Sequence, residues 1–341
     1  MKIISHQNQI EAGCFDVKAG IEIAEKALKL YHKGDIIFPD KVSQIFNEED
    51  QTRINCLPAT IKSENVCGMK WVAVFPPNPI RFGLPNLNAT ILLSEINSGY
   101  PIAFMDGTLC SNIRTASVSA VAAKYLASKN SKSIGFIGTG EQAKTHLLSL
   151  YHVLPSLKIC KVSSRRESSV ETFINQMKQY IPEMEFINCG SRYQQASEDS
   201  DVVVTAISGQ APILQAEWLK DGVFYNHVGG WEDDYKVPKI MNKIVCDDWA
   251  SVKHRTQTLS RLYKMGELSD GDIYADLYEI VGGDKKGRET EIEKIYFNPV
   301  GLSYVDIALA KYFYDKVTTN NEVINTLEFP IYQKSIFDVN L

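Results

Sequence analysis

The segment Ser133-Ile-Gly-Phe-Ile-Gly-Thr-Gly-Glu-Gln-Ala143 constrains the fold of this chain more than any other. Ile134, Phe136 and Ile137 make the short apolar run of a strand buried on both faces. Gly138 and Gly140 permit a tight turn and a close backbone approach to a pyrophosphate. Ala143 stands where a small residue lets the following helix pack on that strand. The free N–H groups at the start of the helix-like run Glu141–Leu154 favour an anion. A lone G-x-G-x-x-A is a weak signal, because glycine turns also serve simple chain reversal. Between a strand and a helix it reads as a dinucleotide site.

Beyond residue 154 the chain alternates in the same manner. Strand-like runs at Lys158–Ser163, Glu185–Asn188, Asp201–Ala206, Val223–His227 and Lys243–Cys246 are separated by helical stretches such as Val170–Tyr180. This predicts an α/β fold with a doubly wound parallel sheet. The earlier part reads differently. Asp16 caps a helix through Tyr31 that Gly34 ends, and strands come next at Arg53–Ile61, Val66–Phe75, Ala89–Ile96 and Pro101–Asp106. The helix-like Val305–Lys316 returns the chain to that part. The expected division is an α+β substrate-binding and dimerisation domain over 1–114 and 305–341, with a Rossmann domain over 115–304.

The 341 residues carry a formal net charge of −5, which argues against a nucleic-acid partner. Against a nucleic-acid role, the basic run Lys161–Arg166 has the plain alternative of a solvated strand end. Seven cysteines without a C-x-x-C suit a reducing compartment, and six histidines show no metal-ligand spacing, so no metal is expected. No apolar run approaches the ~18 residues of a membrane span. The expectation is a soluble cytoplasmic protein that binds small molecules.

Cations stand out as candidates for carboxylate binding: Lys41, Arg53, Lys70 and Arg114. Lys70 has apolar neighbours on both sides. Arg114 reads as opening a helix, where the helix dipole disfavours a cation unless an anion is bound nearby. After the strand Val223–His227, Gly229 and Gly230 lead into Trp231-Glu-Asp-Asp234. Glu232, closest to the glycines, is the candidate general base, whereas Asp233 and Asp234 read as a solvated acidic loop.

These residues, taken in order, resemble the ornithine cyclodeaminase/mu-crystallin family. The matching pieces are Phe38-Pro-Asp-Lys41, Leu57-Pro58, Gly68-Met-Lys70, Gly99–Gly107, Arg114-Thr-Ala-Ser117, Gly138–Ala143 and Val228-Gly-Gly230. The resemblance implies a homodimeric enzyme that transfers hydride between an amino-acid Cα–N bond, or its imine, and a nicotinamide. It implies Lys70 as a catalytic residue and Lys41, Lys70 and Arg114 as carboxylate contacts. It implies Asn88, Arg114, Thr115, Glu141, Gln142, Thr205, Gly229 and Gly230 as cofactor contacts. Where a cyclodeaminase has a distal-amine glutamate this chain has Asn55, and where it has its catalytic aspartate this chain has Trp231.

Further pieces resemble a siderophore-pathway branch that cleaves N-(2-amino-2-carboxyethyl)-L-glutamate to 2-oxoglutarate and 2,3-diaminopropionate. They are Asn78-Pro79, Phe82–Pro85, Val245–Trp249, Gly282–Glu289 and Asn298–Leu302, and Arg53 fits the same branch. The expected activity is oxidation of the C–N bond of an N-substituted, carboxylate-rich amino acid. A cyclodeaminase or ketimine reductase is the alternative within the fold; a nucleotide-dependent binding protein without turnover is the alternative outside it. Ser164 and Arg165 stand where NAD enzymes place a ribose-binding acid, so NADP(H) is expected over NAD(H).

Overall fold

A computed structural model describes residues 1–319 and 325–327. The first sheet contains β1 (Lys2–Ile4), β2 (Ile36–Ile37), β3 (Val42–Asn47), β4 (Thr52–Ile61), β5 (Val66–Val74), β6 (Leu87–Glu95) and β7 (Pro101–Asp106). The second contains β8 (Ser133–Ile137), β9 (Ile159–Ser163), β10 (Glu185–Asn188), β11 (Val202–Thr205), β12 (Phe224–His227), β13 (Lys243–Cys246), β14 (Ala275–Asp276) and β15 (Ile295–Asn298). A final strand, β16 (Asn325–Thr326), pairs with β1 in the first sheet.

The second sheet is parallel throughout, in the order β10-β9-β8-β11-β12-β15-β13-β14. Its central strands β8, β11, β12 and β15 are buried along their whole length. They need helices on both faces, and the apolar runs of β8 and β11 encode that. The order reverses at β8, the one strand with β9 on one side and β11 on the other. In open α/β sheets ligands bind at the carboxyl ends of strands at such a point.

In the first sheet β4, β5 and β6 pair antiparallel, and burial alternates along β4 and β6. Leu57, Ala59 and Ile61 of β4 and Ala89, Ile91 and Leu93 of β6 are buried, while their neighbours are more open. The helix Ser303–Thr319 packs on that buried face, and the helix Val17–His32 packs beside it. Asp16 caps the latter by accepting the Ala19 N–H at 3.0 Å.

The two sheets are joined by the helix Thr108–Leu126, whose small buried residues allow close approach to its neighbours. This corrects the expectation for Arg114. The helix begins at Thr108, so Arg114 lies well inside it and not at its N-terminus. The domain boundary placed between 114 and 115 therefore cuts a continuous helix. Of the returning segment 305–341, residues 320–324 and 328–341 lie outside the described residues. Among the described residues, no helix is long and apolar enough to cross a membrane, and no group of three or more His, Cys, Asp and Glu side chains is disposed to hold a metal.

Candidate active site

The carboxyl ends of β8, β11 and β12 bring three loops together: Gly138–Gly140, Ala206–Ile207 and Val228–Gly230. Gly138 adopts φ +116°, and a Cβ there would lie 2.4 Å from the Ala206 carbonyl oxygen, so only glycine fits. Gly140 caps the helix Glu141–Val153 without a side-chain cap, and nothing lies within 4 Å of where its Cβ would stand. The amides that open this helix are thus aimed at free space. A dinucleotide pyrophosphate fits that cradle. Gln142 donates from Nε2 to Asn112 Oδ1 at 2.9 Å, while its Oε1 is sealed from solvent without a protein partner. Glu141 points outward and pairs with Lys144 at 2.5 Å.

Lys70 and Arg114 converge from different elements on one carboxylate, Asp306 of the final helix. Lys70 Nζ lies 2.6 Å and Arg114 Nε 3.0 Å from Asp306 Oδ1. Lys70 and Asp306 are fully buried, and the Arg114 side chain retains 13% exposure. Two cations share one acid, and of the two Arg114 alone keeps access to solvent, which suits an anionic substrate. Burial, and after it the repulsion of Arg114, push Lys70 down to about 8 against the pull of Asp306. Asp306 Oδ2 has no hydrogen-bond partner, and the Cys110 thiol donates to the Asp306 backbone oxygen at 3.4 Å.

A glycine makes this convergence possible. Gly301, at φ +103°, leaves room for the Arg114 guanidinium, because a Cβ there would stand 2.5 Å from Nη1. Buried Asp247 fixes this turn by accepting the Val300 and Gly301 N–H groups at 2.9 and 2.8 Å. Burial pushes Asp247 up to about 7.

Glu232 occupies a different setting. It is fully buried beneath the glycine pair. Its Oε2 accepts from Thr205 Oγ1 at 2.7 Å and Gly229 N at 2.9 Å, and its Oε1 accepts from Ile207 N at 2.5 Å. Burial raises its pKa and lowers that of His227, whose Nε2 lies 3.5 Å away. Both oxygens therefore bond to the loops that frame the cleft. The residue expected as the general base thus ties β11 to the turn after β12.

Asp233 requires a correction. It is fully buried, not solvated, with Tyr296 OH 3.1 Å from Oδ2 and the Thr258 hydroxyl donating to Oδ1. Burial pushes it up to about 7. Trp231 stacks on Tyr235 at 5.6 Å, and Arg261 lies over its ring at 4.4 Å.

Other candidates fall at various distances from this centre. Arg53 shares the inner face of the first sheet with Lys70, since Arg53 faces Val74 and Leu57 faces Lys70 in the β4–β5 register. Lys41 immediately precedes β3, half-buried. Thr115 follows Arg114 and donates to the Ser111 carbonyl at 2.8 Å. Asn88 faces Ala73 and so lies on the opposite, outer face, exposed and apart from the cluster. Ser164 donates its N–H to the Gly190 carbonyl at 2.9 Å beyond β9, and Arg165 beside it is exposed. Sequence reasoning missed Asp306. Its only local signal is an acid on the apolar stripe of a helix, where a charge demands a partner.

Comparison with known proteins identifies relatives over nearly the whole chain. The sequence profile of the ornithine cyclodeaminase/mu-crystallin family matches residues 1–321. The alanine dehydrogenase of Archaeoglobus fulgidus is 31% identical over 326 residues, covering 94% of this chain and 96% of that protein. The N-((2S)-2-amino-2-carboxyethyl)-L-glutamate dehydrogenase of Staphylococcus aureus is 28% identical over 91% of this chain and 94% of its own. The solved Delta(1)-pyrroline-2-carboxylate reductase of Thermococcus litoralis, in complex with NADH and L-proline, superposes with a TM-score of 0.90. It is 29% identical, over 96% of this chain and all of that one.

Proposed function

The chain belongs to the ornithine cyclodeaminase/mu-crystallin family, and from that premise we propose that it is an NAD(P)-dependent oxidoreductase acting on the C–N bond of an N-substituted, carboxylate-rich amino acid. The observation that carries the reading is the buried Lys70–Asp306–Arg114 cluster, with two cations on one acid. Gly138 and Gly140 would hold the pyrophosphate of a nicotinamide dinucleotide, which when bound would accept or return the hydride. The protein's own residues do the rest. Lys70 and Arg114 hold the substrate α-carboxylate and stabilise electron withdrawal from the imine carbon. With its pKa at about 8, Lys70 gives or takes the proton at nitrogen near neutral pH. In the oxidative direction the imine takes up water, and the carbinolamine collapses to an oxo acid and an amine.

An imine reductase acting on a simple cyclic imino acid is the second reading, favoured by the likeness to the pyrroline-carboxylate reductase. Mixing the protein with candidate substrates while following nicotinamide absorbance tests both. An oxo acid plus an amine supports the first reading, and proline supports the second. Absence of turnover with any of them would leave a binding protein.

The outer face of the first sheet is apolar and exposed, with Trp71 at 38%, Phe104 at 42% and Val42 at 61%. A second copy of the chain is the occupant that the resemblance implies. Light scattering coupled to gel filtration checks the dimer.

A further inference from the structure

Buried guanidinium groups normally spend their donors on acids or carbonyls. Arg288 does so, reaching the carbonyls of Leu126, Thr290, Glu293 and Val223. Arg53 and Arg255 do not. Arg53 donates from Nη1 to the Gln51 carbonyl at 2.7 Å, and Arg255 from Nε to the Ser251 carbonyl at 3.3 Å. Among the described residues neither has an acid within ion-pair distance, and none of their remaining nitrogens is among the buried polar atoms that lack a partner. Each is half-buried and keeps donors facing solvent-filled space. Burial lowers the pKa of both, Arg255 to about 10.

The two come from different parts of the molecule, and the segments that carry them touch. Thr256 donates to Gln51 Oε1 at 3.4 Å, so the segment carrying Arg255 touches the hairpin carrying Arg53. On its other side Gln257 donates to the Gly229 carbonyl at 2.7 Å, which anchors the segment at the carboxyl end of β12. An anion held here lies beyond the substrate cluster, not at the pyrophosphate turn after β8. The register supplies a ruler. Arg53 is four residues along β4 from Leu57, the partner of Lys70, or about 13 Å at strand rise. Long side chains leaning inward shorten that to the span of a flexible dicarboxylate.

We infer that Arg255, together with Arg53, forms a second carboxylate site that binds the distal carboxylate of the substrate. This rests on the proposed action on a carboxylate-rich amino acid, and it names Arg255 as a specificity-determining residue contributed by the nucleotide-binding half. Adipate and hexanoate, alike except that a methyl replaces the distal carboxylate, are the probes. Their dissociation constants for the NADH-loaded protein are compared in wild type, Arg255→Ala, Arg255→Lys and Arg53→Ala. In wild type adipate should bind at least about tenfold tighter than hexanoate. Arg255→Ala should abolish most of that ratio, Arg255→Lys should restore part of it, and Arg53→Ala combined with Arg255→Ala should cost less than the two separately. A wild-type ratio near one, or a ratio unmoved in both Arg255 variants, overturns the site. Turnover of N-substituted amino acids is scored separately. A protein that reduces only simple imino acids yet keeps an Arg255-dependent preference for adipate refutes the activity and retains the site.

Discussion

Two buried clusters of ionisable groups lie on either side of the cleft, and they differ in what they leave unspent. Around Lys70, two cations share one oxygen of Asp306, its other oxygen is unpaired, and Arg114 keeps a path to solvent. Around Glu232, Thr205 and two backbone amides consume both oxygens, and His227 lies between Tyr296 at 2.5 Å and the Gly230 carbonyl at 2.5 Å. Burial alone does not mark a reacting group. An incomplete set of partners, with charge left over and an opening to the cleft, distinguishes a site awaiting substrate from one that holds a loop.

The largest effect should come from breaking the first cluster. Asp306→Asn keeps the shape but removes the charge that holds Lys70, and kcat/KM should fall by roughly a hundredfold or more. Asp306→Ala should also destabilise the fold, because a buried cation loses its partner at about 3–5 kcal/mol. The pH profile carries the diagnostic. Lys70 protonates near 8, so the reductive kcat/KM should decline above about pH 8. Since Asp306 raises that pKa, Asp306→Asn should move the decline to lower pH. A limb that stays in place in the variant would transfer the proton-handling role elsewhere.

The second cluster should respond in stability and cofactor affinity before chemistry. Glu232→Ala leaves the Gly229 and Ile207 N–H groups without their acceptor, at about 1–3 kcal/mol each. The expected result is a lower melting temperature and weaker nicotinamide cofactor binding, while a single-turnover rate with saturating cofactor changes much less. A chemical step slowed as strongly as in Asp306→Asn would assign Glu232 as the base.

Asp233 sharpens the contrast through pH. Its folded-state pKa is raised from 3.8 to about 7. Its stabilising contribution is therefore fully present below about pH 4 and is lost as pH rises through 7. Asp233→Asn cannot ionise, so wild type should lose stability relative to this variant between pH 4 and 7. Denaturant titrations at several pH values check the sign; a difference that grows the other way would show Asp233 to be stabilised as the anion.

The same contrast explains what was legible in the sequence. The glycine turn, the parallel strands and the antiparallel β4–β7 run arise from local periodicity, and most of their boundaries fall within a residue or two. The insertion of β15 between β12 and β13 has no local signal, because a four-residue apolar run does not announce its neighbour. The N-terminus of the Thr108–Leu126 helix was hidden as well. Gly107 gives no side-chain cap, so the pattern first reads as helical at Arg114. Asp306 lies 236 residues from Lys70 and 192 from Arg114, and only the fold brings them together. Asp233 was misread for the opposite reason: an acid in a run of acids looks solvated until packing buries it.

The smallest expected effect concerns the cofactor's ribose, at the carboxyl end of β9 beside the glycine turn. β9 ends at Ser163, and the chain continues through Ser164, Arg165 and Arg166 before the helix Glu167–Tyr180 begins. No acid stands before Glu167 to accept the ribose hydroxyls, and a carboxylate there would repel a 2′-phosphate. Arg165 is exposed, and among the described residues no ion pair occupies it. It is free to pair with that phosphate, and Ser164 is placed to donate a hydrogen bond. An exposed pair of this kind is screened by solvent and salt, so its loss should weaken NADPH binding by roughly tenfold at most. We therefore expect NADPH to bind more tightly than NADH, the preference to shrink in Arg165→Ala, and added salt to narrow it in wild type. Fluorescence titration of both cofactors measures all three. Tighter NADH binding in wild type, or NADPH affinity unmoved in Arg165→Ala, would assign this strand end to solvent and leave recognition to the pyrophosphate turn alone.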